Sequence, residues 1–497
     1  MPTETVVWFK RDLRSSDHAP LALAANRDAA VGLYIIEPEW LASAEFDSQH
    51  LDFILQSLAE LRKDLAQRGL PLLVRVGSAL TVLSDLRNEF DFSELLSHEE
   101  TGSGWTYERD KAVLVWTKVH GVQWREFSQH GVIRRLRTRL GWAGQWTEKM
   151  TQPLLNAPLR INGANLPIVD LPTLSSLEIP LHSRAIQEGG QGAALTLLRN
   201  FTEGGANGYR RSMSSPQLAQ SACSRLSPHI AYGTISMRQV YQTTQLAKSS
   251  TDEAHLSSEL HSFASRLRWH CHFIQKLEDE PQIEFRNFSR VYDGLREPHF
   301  NEAYFEAWCA GMTGFPMVDA CMRSLKTTGW LNFRMRAMLV SFASQQLWLH
   351  WRRTGMFLAQ QFLDFEPGIH WSQMQMQSGT TGINTLRVYS ATKQLQDQDP
   401  KGNFVRFWIP ELGTSAYPQP IVNEAAAMKA AKDKLYAIRG MGQARDEANA
   451  VQERHGSRKS GLAPTTRKSA NSEQKRGKAD KRKSAAVVVT PQLDLFS

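Results

Sequence analysis

The sequence predicts an α/β domain built on a parallel sheet, followed by an all-α domain and a disordered basic tail. Over about the first 115 residues, short apolar runs alternate with amphipathic helices, the pattern of a parallel sheet covered on both faces. From residue 193 to about 438 nearly all periodicity is helical. We therefore expect an α/β domain (1–130), a connector (131–192), a helical domain (193–438) and a tail (439–497).

The predicted sheet begins with strands over Thr5–Phe9 and Ala30–Ile36 and continues with a helix over Leu51–Gly69 and a strand over Pro71–Val76. The arrangement is Rossmann-like, but no Gly-x-Gly-x-x-Gly motif follows the first strand, so the usual sign of dinucleotide binding is missing. The charged cluster Lys10–Arg14 stands at the end of that strand. By default it is a solvated loop, although strand ends in such sheets also bind ligands.

The connector and the tail differ from both domains in composition. Between residues 151 and 192 periodicity fades and five prolines gather, which indicates a connector that wraps the surface of both domains. After about residue 439 Ala, Gly, Ser, Lys and Arg predominate, which is typical of disorder.

The net charge of +8 belongs to the tail. Residues 454–483 hold 11 Lys/Arg and 2 Asp/Glu, which leaves 47 Lys/Arg against 48 Asp/Glu elsewhere. The folded part is thus nearly neutral, so any nucleic acid must be bound through a local patch.

Cysteine spacing and hydropathy exclude several classes of protein. The four cysteines have no short paired spacing, which argues against a disulfide framework, a zinc site or an iron–sulfur cluster, and we expect no metal. No apolar run approaches the length of a membrane span, and the first residues lack a signal-peptide profile. We expect a monomeric cytoplasmic protein, associated with the nucleoid, without membrane contact.

The stretch Met312–Phe342 predicts two helices around a Gly-Trp corner. Pro316 suits a first helical turn, and Gly329 suits a left-handed helix end. Arg334 and Arg336 stand two residues apart in the second helix, so both cannot lie in an apolar core, and at least one requires an anion. Two core helices with an ion pair explain the same pattern.

Two further segments suit either a ligand or ordinary packing. Ser227 and Pro228 have the form of an N-cap and first turn, and with Ser224 and Arg225 they form a candidate phosphate cradle, although such caps are common. The helix predicted over Ser262–Leu277 carries cationic and aromatic side chains along one side, as a core face or as a wall for a flat ligand. Those side chains are Arg266, Trp269, His270 and Phe273.

The segment after residue 361 supplies anions and amides. Asp364 and Glu366 are candidate partners for Arg336. The Gln/Met run from Gln373 to Gly382 suits a ligand, but also an ordinary half-buried segment.

Six motifs, in order over roughly residues 5–415, resemble the cryptochrome/DNA photolyase family. The resemblance implies an α/β domain that can hold an antenna chromophore, such as a folate or a deazaflavin, and a helical domain that holds FAD. It also implies repair of ultraviolet pyrimidine dimers in DNA by electron donation from reduced FAD to a flipped-out dimer. The motifs are Val7-Trp-Phe-Lys-Arg-Asp-Leu-Arg14, Ser224-Arg-Leu-Ser-Pro228, Gly314-Phe-Pro-Met-Val-Asp-Ala-Cys-Met-Arg323, Thr328-Gly-Trp330, Arg334-Met-Arg336 and Phe404-Val-Arg-Phe-Trp-Ile-Pro-Glu-Leu412.

Carried over by motif, the resemblance also implies contacts with FAD. Arg336 would pair with Asp364 near the isoalloxazine ring, and Glu366 would approach the ribose or adenine. Trp269 would stack on the dimer. Residues at the phosphates would be Tyr209, Cys223, Ser224, Arg225, Leu226 and Ser227, and residues beside the flavin would be Arg266, Trp269, His270, Phe273 and Phe333.

Several of these positions depart from the family's pattern. Cys223 replaces a threonine, Arg266 replaces a carboxylate that contacts the dimer, His270 follows Trp269 where the family has Arg, and Phe333 replaces an asparagine. His370 stands near the position that faces flavin N5. The departures resemble a divergent bacterial branch of the family.

The family's three-tryptophan electron chain is also altered. Only Trp351 matches well. The place nearest the flavin falls on Met374, with Trp371 nearby, and the outer place near Pro298 has no tryptophan. The usual route of flavin photoreduction is therefore in question.

The tail ends in a peptide that resembles the one by which bacterial repair proteins bind the sliding clamp. Its residues are Gln492, Leu493, Asp494, Leu495 and Phe496. At the end of a disordered arm such a peptide is accessible to a partner, while the basic arm itself either contacts DNA phosphates or only aids solubility.

Two functions compete. The first is light-dependent repair of ultraviolet dimers, of the cyclobutane rather than the (6-4) type, with Trp269, Arg266, His370, Trp351 and Trp371 as the residues of the reaction. The second is a cryptochrome-type photoreceptor that binds FAD without repair. The clamp-like peptide favours repair, whereas the altered Arg266, His370 and tryptophan chain favour the photoreceptor.

Overall fold

The computed structural model describes residues 4–456, and its first part is the predicted α/β domain. Five parallel strands form one sheet in the order β3-β2-β1-β4-β5. In the central strand Val6 lies opposite Val31 on one side and Leu95 on the other. The strands are β1 (Glu4–Phe9), β2 (Ala29–Ile36), β3 (Leu72–Val76), β4 (Glu94–His98) and β5 (Gln123–Phe127).

Helices cover both faces of this sheet, and α-helices are the main regular elements of the rest of the described chain. Those of the amino-terminal part are α1 (Ala19–Ala24), α2 (Pro38–Leu41), α3 (Ser48–Gln67), α4 (Ala79–Glu89), α5 (Gly104–Val119) and α6 (Trp142–Thr151). The following ones are α7 (Gln191–Asn200), α8 (Tyr209–Ser212), α9 (Ala219–Ala222), α10 (Ser227–Ala231), α11 (Met237–Ser250), α12 (Ala254–Asp279) and α13 (Glu302–Ala310). The last are α14 (Pro316–Thr328), α15 (Phe333–Ser341), α16 (Trp351–Gln361), α17 (Pro367–Ser378), α18 (Ala391–Gln398), α19 (Asn403–Trp408), α20 (Glu424–Gly440) and α21 (Gly442–His455).

Alternate residues of β1 enter different cores because successive side chains of a strand point to opposite faces. Val7 and Phe9 pack with residues of α1 and α3, whereas Val6 and Trp8 pack with residues of α4 and α5. The predicted fold class is therefore confirmed. The fifth strand escaped prediction because it is a half-exposed edge that lacks an apolar run.

The default interpretation of the charged cluster at the end of β1, a solvated loop, is wrong. Lys10, Asp12 and Arg14 are all buried. The α/β and helical parts meet there: Arg14 donates to Gly233 O at 3.0 Å, and Arg11 donates to Ala231 O at 2.8 Å.

The connector makes contacts with both parts of the chain. Residues 152–190 contain one short 3-10 turn and a bridge between Gly163 and Ala30. Its last part reaches the helical domain, where Ala185 N donates to Thr327 O at 2.9 Å. The predicted range 131–192 also contains α6, which sequence reasoning missed; Trp142 and Trp146 anchor that helix in the core of α11 and α12.

The Gly-Trp corner has the predicted form. Pro316 begins α14, and Gly329 ends it with a φ of +67°. A Cβ at Gly329 would stand 2.4 Å from the side-chain oxygen of Gln49 in α3. This corner is therefore a place where the two domains make close contact.

Order extends further than the sequence indicated. Disorder was expected after about residue 439, but α21 continues to His455 and buries Val451 among Leu277, Ile283 and Phe288. His455 also bonds Glu280 at 2.7 Å. The composition of this segment did not indicate a helix, because the helix is stabilised by packing against residues that are distant in sequence. Gln492–Phe496 lie outside the described residues, and no helix within residues 4–456 is both long and apolar enough to span a membrane.

Candidate functional site

A cavity of about 320 Å³, called here the large cavity, lies in the helical domain between α8, α10, α12, α15 and α17. Its volume falls in the range of small-molecule sites. Every residue that the resemblance assigned to cofactor binding lines it: Tyr209, Cys223, Ser224, Arg225, Leu226, Ser227, Arg266, Trp269, His270, Phe273, Phe333, Arg336, Asp364 and Glu366. His370 lines it too, whereas Trp351 and Trp371 lie behind its wall.

Arg336 and Asp364 form a two-armed ion pair in the wall. The two terminal nitrogens of Arg336 donate to the two carboxylate oxygens at 2.9 Å each, and its Nε donates to Leu331 O at 2.6 Å. Burial would raise the pKa of Asp364, but Arg336 and a hydrogen bond from Ser227 hold it below its ordinary value. Ser227 is not the N-cap expected from the sequence, a position that Leu226 occupies.

Glu366, two residues further on, behaves in the opposite way. Burial raises the pKa of Glu366 to about 7, and the attraction of Arg11, whose Nη2 lies 3.7 Å from the carboxylate, offsets only part of this. The same nitrogen of Arg11 donates to Phe365 O at 2.7 Å. One wall of the large cavity is thus fastened to the end of β1 in the other domain.

Arg225 brings a second half-buried cation to the cavity. Its guanidinium lies 4.0 Å from the centre of the Trp330 ring. Within residues 4–456 no carboxylate oxygen lies within 4.0 Å of it, and burial lowers the pKa of Arg225 to about 10. A half-buried cation without a carboxylate partner indicates a site for an anion.

Buried polar atoms of three uncharged side chains at the cavity have no hydrogen-bond partner within residues 4–456. They are Nδ1 of His270, Oδ1 of Asn332 and Nε2 of Gln373. Because buried polar atoms in folded proteins are almost always hydrogen-bonded, these atoms indicate a polar ligand.

His370 and two tryptophans form a row that leads away from the cavity. The ring centres of His370 and Trp371 are 4.8 Å apart, and those of Trp371 and Trp351 are 5.9 Å apart. The Nε2–H of His370 donates to Gly355 O at 2.9 Å, and burial lowers the pKa of this histidine to about 4, so the ring is neutral at pH 7. Met374 lines the cavity itself.

Comparisons with known proteins agree with this arrangement. The family profile described as DNA photolyase matches residues 5–139, and the profile described as FAD binding domain of DNA photolyase matches residues 263–439. The chain belongs to the cryptochrome/DNA photolyase family.

Relatives in this family carry two kinds of name. A deoxyribodipyrimidine photo-lyase of Halobacterium salinarum is 28% identical over 435 residues, which cover 82% of this chain and 89% of that protein. A cryptochrome DASH of Gloeobacter violaceus is 28% identical over 475 residues, which cover 88% and 92%. A solved bacterial class III photolyase from Agrobacterium tumefaciens shares the fold, with a TM-score of 0.78, 24% identity, and coverage of 89% of this chain and 98% of that one.

The large cavity fits FAD, the cofactor of this family. Arg225 offers a half-buried positive charge for the diphosphate, and the unpartnered His270, Asn332 and Gln373 atoms offer hydrogen bonds for the polar edges of the cofactor. Tyr209, Trp269 and Phe273 supply the apolar surface that a flat ring system requires. The ion pair of Arg336 and Asp364 holds α15 and the segment before α17 together in the cavity wall.

An antenna chromophore does not fit the pocket at the strand ends of the sheet. This strand-end pocket holds about 80 Å³, and the guanidinium of Arg109 covers the Trp8 ring at 5.0 Å. Arg109 also pairs with Glu37 at 2.7 Å and Glu100 at 2.6 Å. A folate or deazaflavin ring would have to displace Arg109 and leave buried carboxylates without a partner.

Sequence reasoning missed a buried trio at the same end of the sheet. Asp12, His18 and His98 bring their ligand atoms within 4.8 Å of one another. Leu21 N donates to His18 Nδ1, so His18 Nε2–H donates to Asp12 Oδ2 at 3.0 Å, and His98 Nδ1 approaches the same oxygen at 2.7 Å. We interpret the trio as a hydrogen-bond network that closes the end of β1.

Other cavity residues were missed because their signals are weak in sequence. Asn332 donates to Met213 O at 2.9 Å and to Ser214 O at 3.0 Å. It was missed because sequence reasoning considered only its neighbour Phe333, which departs from the family's pattern. Arg387 and Tyr389 reach the cavity from a loop without a motif. From the Gln/Met run, Gln373 and Gln377 line the cavity, whereas Gln375 bonds backbone atoms near Ile283 instead.

The opposite environments of the two acids predict opposite effects of neutral substitutions. Asp364→Asn should lower the free energy of unfolding by about 3 kcal/mol at pH 7, because it leaves Arg336 buried without its carboxylate. Chemical unfolding of the FAD-loaded protein measures this. The deficit should shrink as the pH falls below 3.8, because the unfolded chain then binds a proton at Asp364 whereas the folded chain does so only at a lower pH. Ser227→Ala, which removes only a hydrogen bond to Asp364, is the matched control and should cost about 1 kcal/mol.

Glu366→Gln should instead stabilise the protein at high pH. Below about pH 4.5 Glu366 is protonated in the folded and the unfolded chain, so the variant and the original should have the same stability. Between pH 4.5 and 7 only the unfolded chain ionises, so the original loses stability as the pH rises. At pH 8 the variant should be more stable by on the order of 2 kcal/mol. A variant that is less stable at pH 8 would contradict this.

Proposed function

We propose that the protein is a light-dependent DNA repair lyase that acts on ultraviolet pyrimidine dimers. The observation that carries the proposal is the side of α12 that faces the large cavity, where half-buried Trp269 and Arg266 share the lining with Arg225 and Arg336. A flat aromatic ring beside cations suits a base and its phosphates. When bound in its fully reduced form, FAD supplies the electron that splits the dimer and receives it back afterwards.

The residues of the chain have separate tasks in this proposal. Arg225 and the loop before α10 hold the FAD diphosphate, and Arg336 with Asp364 keeps the wall beside the flavin rigid. Trp269 stacks on the flipped-out dimer. Apolar groups such as Phe273 and Met374 exclude water from the space between dimer and flavin.

Two neutral histidines favour the cyclobutane lesion over the (6-4) lesion. Reversal of a (6-4) lesion moves an oxygen and a proton between the two pyrimidines, whereas a cyclobutane ring requires only the cleavage of carbon–carbon bonds. Burial lowers the pKa of both His270 and His370 to about 4. Neither is an imidazolium at pH 7, so neither can act as the general acid that a (6-4) reversal requires.

Illumination of the reduced protein with damaged oligonucleotides tests the proposal. We expect recovery of intact pyrimidines from cyclobutane dimers and none from (6-4) lesions. Trp269→Ala should weaken binding of the damaged oligonucleotide about tenfold to hundredfold, because it removes one stacking contact. Phe407→Ala, which removes an exposed aromatic ring outside the cavity, should bind as before. Absence of turnover on both lesions, with fully reduced FAD, would favour a photoreceptor instead.

We also propose that Trp351 and Trp371 carry electrons toward the cavity. This path would replace the family's usual electron-transfer chain, in which a tryptophan occupies the position of Met374. Trp371→Phe or Trp351→Phe should abolish most photoreduction of oxidised FAD by an external donor, followed by its absorption spectrum, and should leave repair by chemically reduced protein intact. Trp308→Phe, a buried tryptophan elsewhere in the helical domain, is the control. Normal photoreduction in both variants would exclude this route.

Recruitment to DNA replication is a separate proposal. The peptide Gln492–Phe496 would bind the sliding clamp of bacteria, and the protein would otherwise act as a cytoplasmic monomer on damaged DNA. Deletion of Gln492–Ser497 should abolish co-purification with the clamp while repair in solution is unchanged. Co-purification that survives this deletion would refute the proposal.

A further inference from the structure

Arg225 has an unusual backbone for a residue with a long side chain. Its φ is +56°, in the left-handed region that residues other than glycine, asparagine and aspartate seldom adopt. A left-handed residue in the lining of a cavity requires surrounding contacts that hold it in place.

The contact that holds Arg225 comes from Gln187 in the connector. The amide nitrogen of Gln187 donates to Arg225 O at 2.9 Å, and its amide oxygen accepts from Arg225 Nε at 3.1 Å. One side chain therefore fixes both the backbone and the guanidinium of the arginine. On the other side the guanidinium stacks on Trp330.

Gln187 is itself held from two sides. Ala185 N donates to Thr327 O in α14 at 2.9 Å, and Gly189 N donates to the side chain of Gln56 in α3 at 2.9 Å. The connector is thus anchored to both domains within two residues of Gln187, and it presents the amide from a fixed position.

These contacts leave the outer end of Arg225 available. Within residues 4–456 neither of its two terminal nitrogens has a hydrogen-bond partner. They are the nitrogens that bind phosphate in a two-armed fashion.

We propose that Gln187 is a positioning residue that aims Arg225 at the diphosphate of FAD. The inference rests on the proposed assignment of Arg225 to that diphosphate. A neutral amide suits the task, because it accepts from Nε and donates to the carbonyl oxygen without cancelling the positive charge. A glutamate of the same size would pair with the guanidinium and repel the backbone carbonyl.

Release of FAD from the purified holoprotein tests this inference. Free FAD is followed by its fluorescence after dilution, at a series of salt concentrations. Gln187→Ala should speed release about tenfold, the effect of losing one or two hydrogen bonds to a charged group. Gln187→Glu should speed release at least as much and should make it less dependent on salt, because the charge that attracts the diphosphate is cancelled. Glu188→Ala, an exposed neighbour, is the matched control and should release FAD as the original does.

Arg225→Ala separates the two levels of the proposal. If Arg225→Ala speeds release but both Gln187 variants behave as the original, the role of Gln187 is overturned and that of Arg225 stands. If Arg225→Ala has no effect, the diphosphate assignment itself is overturned. A Gln187→Glu protein with an unchanged salt dependence would contradict the charge argument. Far-ultraviolet circular dichroism of each variant ensures that the comparison is made between folded proteins.

Discussion

The half-buried positive charge of Arg225, which pairs with no carboxylate within residues 4–456, is the constraint on which the large cavity depends. Arg225 and Arg336 line the large cavity, and the carboxylates that line it within residues 4–456 are Asp364 and Glu366. One carboxylate, Asp364, is already paired with Arg336, and the other, Glu366, has a pKa raised to about 7, so it supplies only part of a negative charge at neutral pH. In the proposed function the diphosphate of FAD supplies the negative charge that Arg225 lacks. Cofactor binding and the stability of this domain are therefore two aspects of one electrostatic balance.

Parts of the chain that are far apart in sequence serve this cavity. Arg11 at the end of β1 bonds the loop that carries Glu366, and Gln49 of α3 bonds the end of α16. The connector contributes Gln187. The α/β domain thus supports the cavity mechanically, while its own strand-end pocket is filled by the ion pairs of Arg109.

Features with local causes could be predicted from the sequence. The parallel sheet follows from alternating strands and helices, and the corner at Gly329 follows from a glycine at a helix end. The side of α12 that lines the cavity follows from the spacing of Arg266, Trp269 and Phe273. The pair of Arg336 and Asp364 could only be suggested. The sequence indicates that an arginine in an apolar helix requires an anion, but it does not show which carboxylate lies within reach.

Features that depend on contacts distant in sequence could not be predicted. The helix α21 has the composition of a disordered segment and is ordered by Val451 and His455 against residues near position 280. The trio of Asp12, His18 and His98 is assembled from a loop, a helix cap and a strand end. Gln187 stands in a proline-rich connector without periodicity, and only its place beside Arg225 makes it informative.

The most direct measurement of the central claim is a crystal structure of the FAD-loaded protein with an oligonucleotide that contains a cyclobutane dimer. The account predicts FAD in the large cavity with its diphosphate on Arg225, and the dimer out of the duplex in contact with Trp269. FAD bound with its diphosphate away from Arg225, or a dimer that remains stacked in the duplex with Trp269 free, would contradict it.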